Sequence, residues 1–416
     1  MPASRVLVMA PHGSYRTAAF VAAARRLGVE VLIASEGRHS IVSDYARGLH
    51  IDFADEAAAL DSIRQAATRT PFAGIVGTDD STVELAARSA AVLGLPHNPP
   101  AAVRYGRRKD QARACLQAAG LNVPVHRRLD LDAPLSPQLA DLEYPVVVKP
   151  VSLSASRGVI RADHETALRQ AIDRIRVMLR HEKPADPELT RWLLIEEYIP
   201  GQEVALEGML HAGNLDVLAV FDKPDPLEGP CFEETYYTTP SRHPDAVLAE
   251  LERQVQAACA AYGLREGPVH AECRINDQGV WIIEVAARSI GGLCGRLLRF
   301  GTGYSLEELV LAQAMGKRLP AGDPDGGAGV LMIPIPRAGI LKRIEGLLDA
   351  RRVPGIESID IQIREGHELV PLPEGNSYLG FLFARADTPA EAEAALREAH
   401  ACLNIVVAPL WKARVA

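Results

Sequence analysis

One stretch limits the fold of this chain more than any other. In PVHAECRINDQGVWIIEVAAR, residues 268–288, charged side chains recur inside an otherwise apolar, strand-forming pattern. A turn at 277–279 divides it into two runs, which read as an antiparallel hairpin. Side chains alternate faces along a strand, so His270, Glu272 and Arg274 share one side, as do Glu284, Ala286 and Arg288. Pairing the two runs brings Glu272 and Glu284 together. Two carboxylates on an apolar hairpin need a compensating partner, and a hard cation is the natural one. Magnesium takes oxygen ligands, uses one or two carboxylates and completes its shell with phosphate oxygens and water. A surface ion pair is the plainer alternative, against which the apolar run VWII speaks. Alone, the hairpin names no reaction.

The rest of the chain narrows the class. With 416 residues, 48% of them hydrophobic and 24% charged, it has enough apolar mass for two to four lobes with cores. A net charge of −8 disfavours a nucleic-acid partner, which clustered Lys and Arg would hold, and favours a small-molecule substrate. No apolar run is long enough to span a bilayer, and the opening apolar stretch is short for a signal peptide, so a cytoplasmic protein is expected. Six cysteines without CxxC pairs fit reduced thiols rather than disulfides or a zinc site.

The opening reads as strand 5–10, the loop PHGSYR, helix 17–27 and strand 30–34, the βαβ grammar of a parallel sheet. A strand at 74–77 ends in TDDST, whose Asp and Ser residues can cap a helix at 83–93. This sets Thr78, Asp79 and Asp80 at the carboxyl end of a strand, where open parallel sheets bind ligands. LPHNPPAAVRYG reads as a connector, and RRKDQARACLQAAG as a helix closed by Gly120. From residue 144 come strand PVVVKP, loop SLSASRG, strand VIRA, a helix at 165–180 and strand LLIEEYI. EVALEGMLHAGNLDVLAVF reads as a hairpin turning at Gly213 and Asn214. From about residue 319, strands GVLMIPI, DIQIR and GFLFARA with a helix at 389–402 suggest a separate small α+β lobe.

Three features carry further chemistry. Lys149 ends the VVV strand directly before Pro150 and projects from a strand end, where a lysine can hold phosphate. In SLSASRG, backbone amides and Ser152, Ser154 and Ser156 can fold over phosphate oxygens, with Gly158 the only glycine. LLIEEYIPGQEV runs a strand into Pro200 and Gly201, exposing backbone groups at an edge to which an adenine can bond, and Glu203 past the turn is available to ribose hydroxyls. Each is common structure by itself; their order along one chain is what informs.

Lys109 on the helix RRKDQAR, Lys149 in VVVKP, Glu196 to Ile199 with Glu203 in EEYIPGQEV, then Glu272 and Glu284 with Arg288 resemble the ATP-grasp superfamily, in the right order and over nearly the whole chain. IIEVAARSIGGLCGRLLRFGTGYSLEELVLAQAMG and the closing segment resemble L-amino-acid ligases and related carboxylate-amine ligases. The resemblance implies a mixed α/β and α+β chain with the ATP-grasp fold. It implies an N-terminal Rossmann-like pre-ATP-grasp unit at 1–105, a small lobe with a lid at 106–203, a large lobe with the metal site at 204–318 and a C-terminal α+β lobe at 319–416. The implied cofactors are ATP and Mg2+, with Mn2+ as an alternative ion. Lys109, Lys149, Ser154, Ser156 and Gly158 would meet the phosphates, Glu196, Glu197 and Ile199 the adenine, and Glu203 the ribose. Glu272 and Glu284 would bind the metal, and Arg288 would hold the transferred phosphate and steady developing charge. Glu234, Tyr237, Arg288, Gly291 and Gly292 would line the substrate site.

Two departures stand out. The family's Asn two residues after the second metal Glu is here Ala286, so a ligand is missing, to be replaced by water, bidentate Glu284 or a residue from elsewhere. In CFEETYYTTPSR, Glu234 fits the family's substrate-binding acid, but Tyr237 stands where a histidine is usual, exchanging a group that titrates near neutral pH for a larger phenol. The expected activity is ATP-dependent joining of a small-molecule carboxylate to an amine through an acyl phosphate, without nucleic acid or membrane, a homodimer being compatible. The alternatives are a biotin-carboxylase-like subunit and a degenerate nucleotide-binding sensor. No base for the amine stands out; His270 is read as a structural hydrogen-bonder.

Overall fold

A computed structural model describes residues 5–36, 47–182, 184, 186–320, 322 and 325–410. Val6 to Met9 form an unbroken apolar run, the mark of a strand covered on both faces, and all four are fully buried. They lie in β1 (Arg5–Met9), which pairs in parallel with β2 (Glu30–Ser35) and β4 (Gly74–Gly77), while β3 (Arg47–His50) lies outside β2. The order β3-β2-β1-β4 is that of an open parallel sheet whose direction of growth reverses between β1 and β4. Gly74 lets this sheet press against the helix Leu306–Ala314, since a Cβ there would come within 2.1 Å of the Ala314 carbonyl oxygen.

An antiparallel sheet follows, made of β5 (His126–Asp130), β6 (Val146–Pro150), β7 (Ile160–Ala162) and β8 (Trp192–Glu197) in the order β5-β8-β6-β7. The helix Glu165–Leu179 covers it. Leu168, Ile172 and Ile175, spaced one turn apart, are fully buried beneath it.

The middle of the chain supplies β9 (Gln202–His211), β10 (Asn214–Asp222), β11 (Tyr236–Thr239), β12 (Gly267–Asn276) and β13 (Gly279–Ala286). The first hairpin turns one residue earlier than the sequence suggests. Ala212 and Gly213, both with positive φ (51° and 89°), form the turn, and Asn214 already pairs with His211. In the second hairpin Glu272 sits directly opposite Glu284, with a register shift beside them that leaves Ile283 unpaired across the ladder.

The last hundred residues add β14 (Gly327–Ile333), β15 (Gly339–Glu345), β16 (Ile356–Ile361), β17 (Glu368–Leu369), β18 (Gly380–Ala386) and β19 (Asn404–Ala408). Three of them pair onto the middle sheet. β14, β18 and β16 continue the middle sheet in the order β13-β12-β9-β10-β11-β14-β18-β16, and only β17-β15-β19 form a small sheet of their own. The reason is burial: every residue of β14 is buried, so the strand needs a neighbour on each side and cover on both faces. Among the described residues no helix is long and apolar enough to cross a membrane, and all six cysteines are free thiols.

Candidate active site

The three larger sheets converge on one cavity of about 860 Å3. The small antiparallel sheet contributes Lys149 and Glu196–Ile199, the large sheet Glu203, Glu272 and Glu284, and the parallel sheet the loops that follow β1 and β4.

Glu196 is almost fully buried and is held by two cations: Arg113 Nε donates to Oε1 at 2.6 Å, and Lys149 Nζ lies 2.5 Å from Oε2. Burial raises its carboxyl, but Arg113 and then Lys149 outweigh that, leaving it lowered to about 2. Such a carboxylate stabilises the fold fully above its ordinary 4.5 and ceases to do so as pH falls through about 2. Glu196→Gln is therefore expected to flatten the fall of the urea midpoint across that window. An unchanged slope in the variant would contradict the pairing. The side chain of Glu196 thus anchors Lys149, while its main chain lies in β8 between β5 and β6. Glu197, Tyr198 and Ile199 follow on the cavity wall, with the Ile199 carbonyl accepting from Arg274 at 2.7 Å.

A second buried cation organises the large sheet. Lys223 Nζ donates to Glu203 at 2.7 Å and to Glu272 at 3.3 Å, and makes a short bond to Glu234. The carboxylate oxygens of Glu203, Glu234 and Glu272 lie within 4.8 Å of one another, so the ammonium fills a hole shaped for a cation. Burial alone would lower the Lys223 ammonium; Glu203, Glu234 and Glu272 push it well above its ordinary value. Glu272 is held well below the carboxylate range because Lys223 and His270 overcome its burial. Glu234 is raised by burial, and the neighbouring Glu272 adds to this. Tyr237 donates its hydroxyl to Glu234 at 2.7 Å. Glu203, expected at a ribose, gives its other oxygen to Arg274 at 2.9 Å.

Glu284 faces the cavity with Lys109 Nζ 3.3 Å away, and that lysine also donates to the Leu153 carbonyl at 3.0 Å. Glu272 and Glu284 therefore share one face, each drawing an ammonium, with Lys149 lining the same cavity. Hard oxygen donors that already attract cations suit a magnesium ion. Ala286 is buried and brings no donor side chain to it.

The loop at 152–158 takes left-handed geometry at Ala155 (φ 55°) and Ser156 (φ 54°) as well as at Gly158 (φ 69°), so its scarcity of glycine does not keep it from curling. Ser154 is exposed, and Gly158 N–H donates to the Pro373 carbonyl at 3.0 Å, tying this loop to the closing segment. On the far wall lie Gly291 and Gly292. Gly292 has φ 60°, and a Cβ there would stand 3.1 Å from the Phe381 ring.

Arg288 is paired with Asp80, Nε to Oδ2 at 2.8 Å. Of the two readings of TDDST, a helix cap and a ligand-facing strand end, the second describes Asp79 and Asp80, which both line the cavity. The cap residue Thr82 makes no side-chain cap bond, Asp79 accepts from the Ser81 amide at 3.0 Å, and Asp80 is drawn to the arginine. His270 Nδ1 lies 2.5 Å from the fully buried Glu207. Burial would lower its imidazole, but Glu207 and then Glu272 raise it to about 9, which fits a structural hydrogen-bonder better than a base.

Sequence reading missed Arg113, Lys223 and Glu207. Arg113 lies one helical turn from Lys109, and Glu207 shares a strand face with Glu203, spacings that could have revealed both. Lys223 carries no such local signal, because its partners come from three separate segments.

Three family models match. An ATP-grasp N-terminal domain covers residues 21–97, an ATP-grasp domain 142–296 and the L-amino acid ligase C-terminal domain 2 331–408. The crystal structure of an L-amino acid ligase from Bacillus licheniformis superposes with a TM-score of 0.85 at 28% identity, covering 98% of this chain and 100% of that one. A D-alanine–D-alanine ligase of Gloeobacter violaceus is 30% identical over 208 residues, 46% of this chain and 63% of its own length. Carnosine synthase 1 of Gallus gallus is 28% identical over 266 residues, 58% of this chain and 27% of its own length. The chain thus spans less than two thirds of either of these curated relatives. The matched domains follow one another along the chain as its sheets do, and the chain carries an ATP-grasp domain at residues 142–296 within a fold similar throughout to that of the L-amino acid ligase.

Proposed function

We propose that the protein activates a carboxylate, an amino acid or small acid, with ATP and passes the acyl group to an amine, often that of another amino acid. The observation that carries this reading is the pair Glu272 and Glu284, opposed across one hairpin on a cavity that Lys149 also lines. A carboxylate oxygen of the substrate would attack the γ-phosphorus as its bond to ADP breaks. The amine nitrogen would then attack the acyl phosphate carbon and phosphate would leave.

Glu272 and Glu284 would hold magnesium, which when bound offsets charge on the triphosphate. Lys109 and Lys149 bring fixed positive charge to the phosphates. Because Glu196 and Arg113 set the position of Lys149 in advance, little reorganisation remains at the moment of transfer. Ser154 and Ser156 in the loop at 152–158 would cover the phosphates and keep water from the acyl phosphate, while Gly158, expected at the phosphates, instead ties the loop to Pro373 and does not line the cavity. Glu197 and Ile199 would offer backbone groups to adenine, whereas Glu196, paired on both sides within β8, serves to anchor Lys149, and Glu203 would face the ribose. Arg288 would hold the transferred phosphoryl group and then the tetrahedral intermediate. Glu234, Tyr237, Gly291 and Gly292 would bound the carboxylate substrate, with the Glu234 carboxylate already engaged by Lys223 and Tyr237.

Incubation with Mg-ATP, a panel of amino acids and hydroxylamine is expected to give a hydroxamate together with ADP in equal amount. ADP release without hydroxamate from any carboxylate would overturn the reading. Tight nucleotide binding without turnover would point instead to a sensor, the outcome for which Ala286 speaks.

A further inference from the structure

In an open parallel sheet, ligands bind outside the carboxyl ends of the strands where the strand order reverses. Here that point lies between β1 and β4, and what fills it is a loop of the large sheet. Arg16, from the loop after β1, donates through Nη1 to Ser289 Oγ at 2.6 Å and makes a short bond through Nη2 to the Ile290 carbonyl. Asp80, from the loop after β4, pairs with Arg288 Nε at 2.8 Å. From the other side, Glu207 accepts the Ile290 amide at 3.2 Å. The loop is thus clamped from both units.

Arg288 is the one member of that loop whose side chain must point at a reacting group. An arginine side chain is rich in rotamers, and a fixed partner removes that freedom before the substrate arrives. With Nε on Asp80 and Nη1 donating to the Ser289 carbonyl at 3.1 Å, the plane of the guanidinium is set by two contacts. The pair is mostly buried, the side chains being 12% and 22% exposed, so solvent screens it little.

We infer that Asp80 is a positioning residue for the ligase reaction: the N-terminal unit, through Asp80 at the switch point of its parallel sheet, orients Arg288 toward the transferred phosphoryl group. This rests on the role given to Arg288 above. It also gives the N-terminal unit a part in the chemistry that nucleotide binding in the other two sheets does not require.

The test uses the full chain with Asp80→Ala, Asp80→Asn, Asp80→Glu and Arg288→Ala, following ADP release and hydroxamate. Asp80→Ala is expected to lower kcat and raise the KM for the carboxylate, costing together about ten- to a hundredfold in kcat/KM, as a small misplacement of a catalytic group does. The KM for ATP should hold within about twofold, while Tm should fall by a few degrees because Asp80→Ala leaves a mostly buried arginine without its partner. Asp80→Glu should recover part of the loss, which a merely structural role would not show as a split between the two KM values. If Asp80→Ala unfolds, Asp80→Asn, of the same shape without the charge, decides by the same kinetic split. Wild-type kinetics in Asp80→Ala or Asp80→Asn, while Arg288→Ala is inactive, would overturn the inference alone. An active Arg288→Ala would overturn the role of Arg288 and the inference with it.

Discussion

Lys223→Met is expected to destabilise the protein by about 3–5 kcal/mol, the usual cost of stripping one partner from a buried ion pair. The ammonium is 3% exposed and serves Glu203, Glu234 and Glu272 at once. Methionine nearly matches the lysine in volume, so the loss is one of charge and not of packing. Without Lys223, three carboxylates crowd within 4.8 Å with no cation at their centre. They would relieve the repulsion by taking up protons. The variant should therefore recover toward wild type as pH falls, opposite to the expected effect of acid on the intact Glu196 pairs. Urea unfolding at several pH values checks both statements, and a variant as stable as wild type at neutral pH would show that the cluster is neutralised by other means.

Glu284→Ala should do the reverse, abolishing turnover while leaving the fold intact. Outer-sphere partners of a metal commonly contribute ten- to a hundredfold, so loss of a direct ligand should cost at least about a hundredfold in phosphate release. Stability should barely move, because Glu284 is 25% exposed and its one cation, Lys109, retains the Leu153 carbonyl. Glu272→Ala is expected to lose stability as well as activity, since it also holds Lys223 and lies 3.5 Å from His270. Comparing Tm with turnover in the two variants separates a metal ligand from a structural acid; full turnover in Glu284→Ala would remove it from the site.

What could be read from the sequence was what local periodicity encodes. Alternation with period two placed Glu272 and Glu284 on one face and set their register, because slipping one residue would have turned the apolar face of β12 to solvent. The turn at Ala212 and Gly213 was misplaced by one residue, since Ala gives no sign of a left-handed backbone. For Asp80 the sequence left two readings open, a helix cap and a ligand-facing strand end. An acid just before a helix satisfies a local rule, and only the tertiary fold brings Arg288 within 2.8 Å of it. The same holds for Lys223, whose partners sit on β9, on β12 and ahead of β11. The union of β14, β16 and β18 with the large sheet was likewise invisible, because the order of strands in a sheet is not a local property.

The central claim is that Glu272 and Glu284 grip a divalent ion against the triphosphate, and Mn2+ uptake followed by electron paramagnetic resonance tests it without turnover. With a non-hydrolysable ATP analogue present, the wild-type protein should hold Mn2+ tightly, and Glu284→Ala should leave the ion off the protein, on the analogue in solution. Equal uptake by both proteins would contradict the claim.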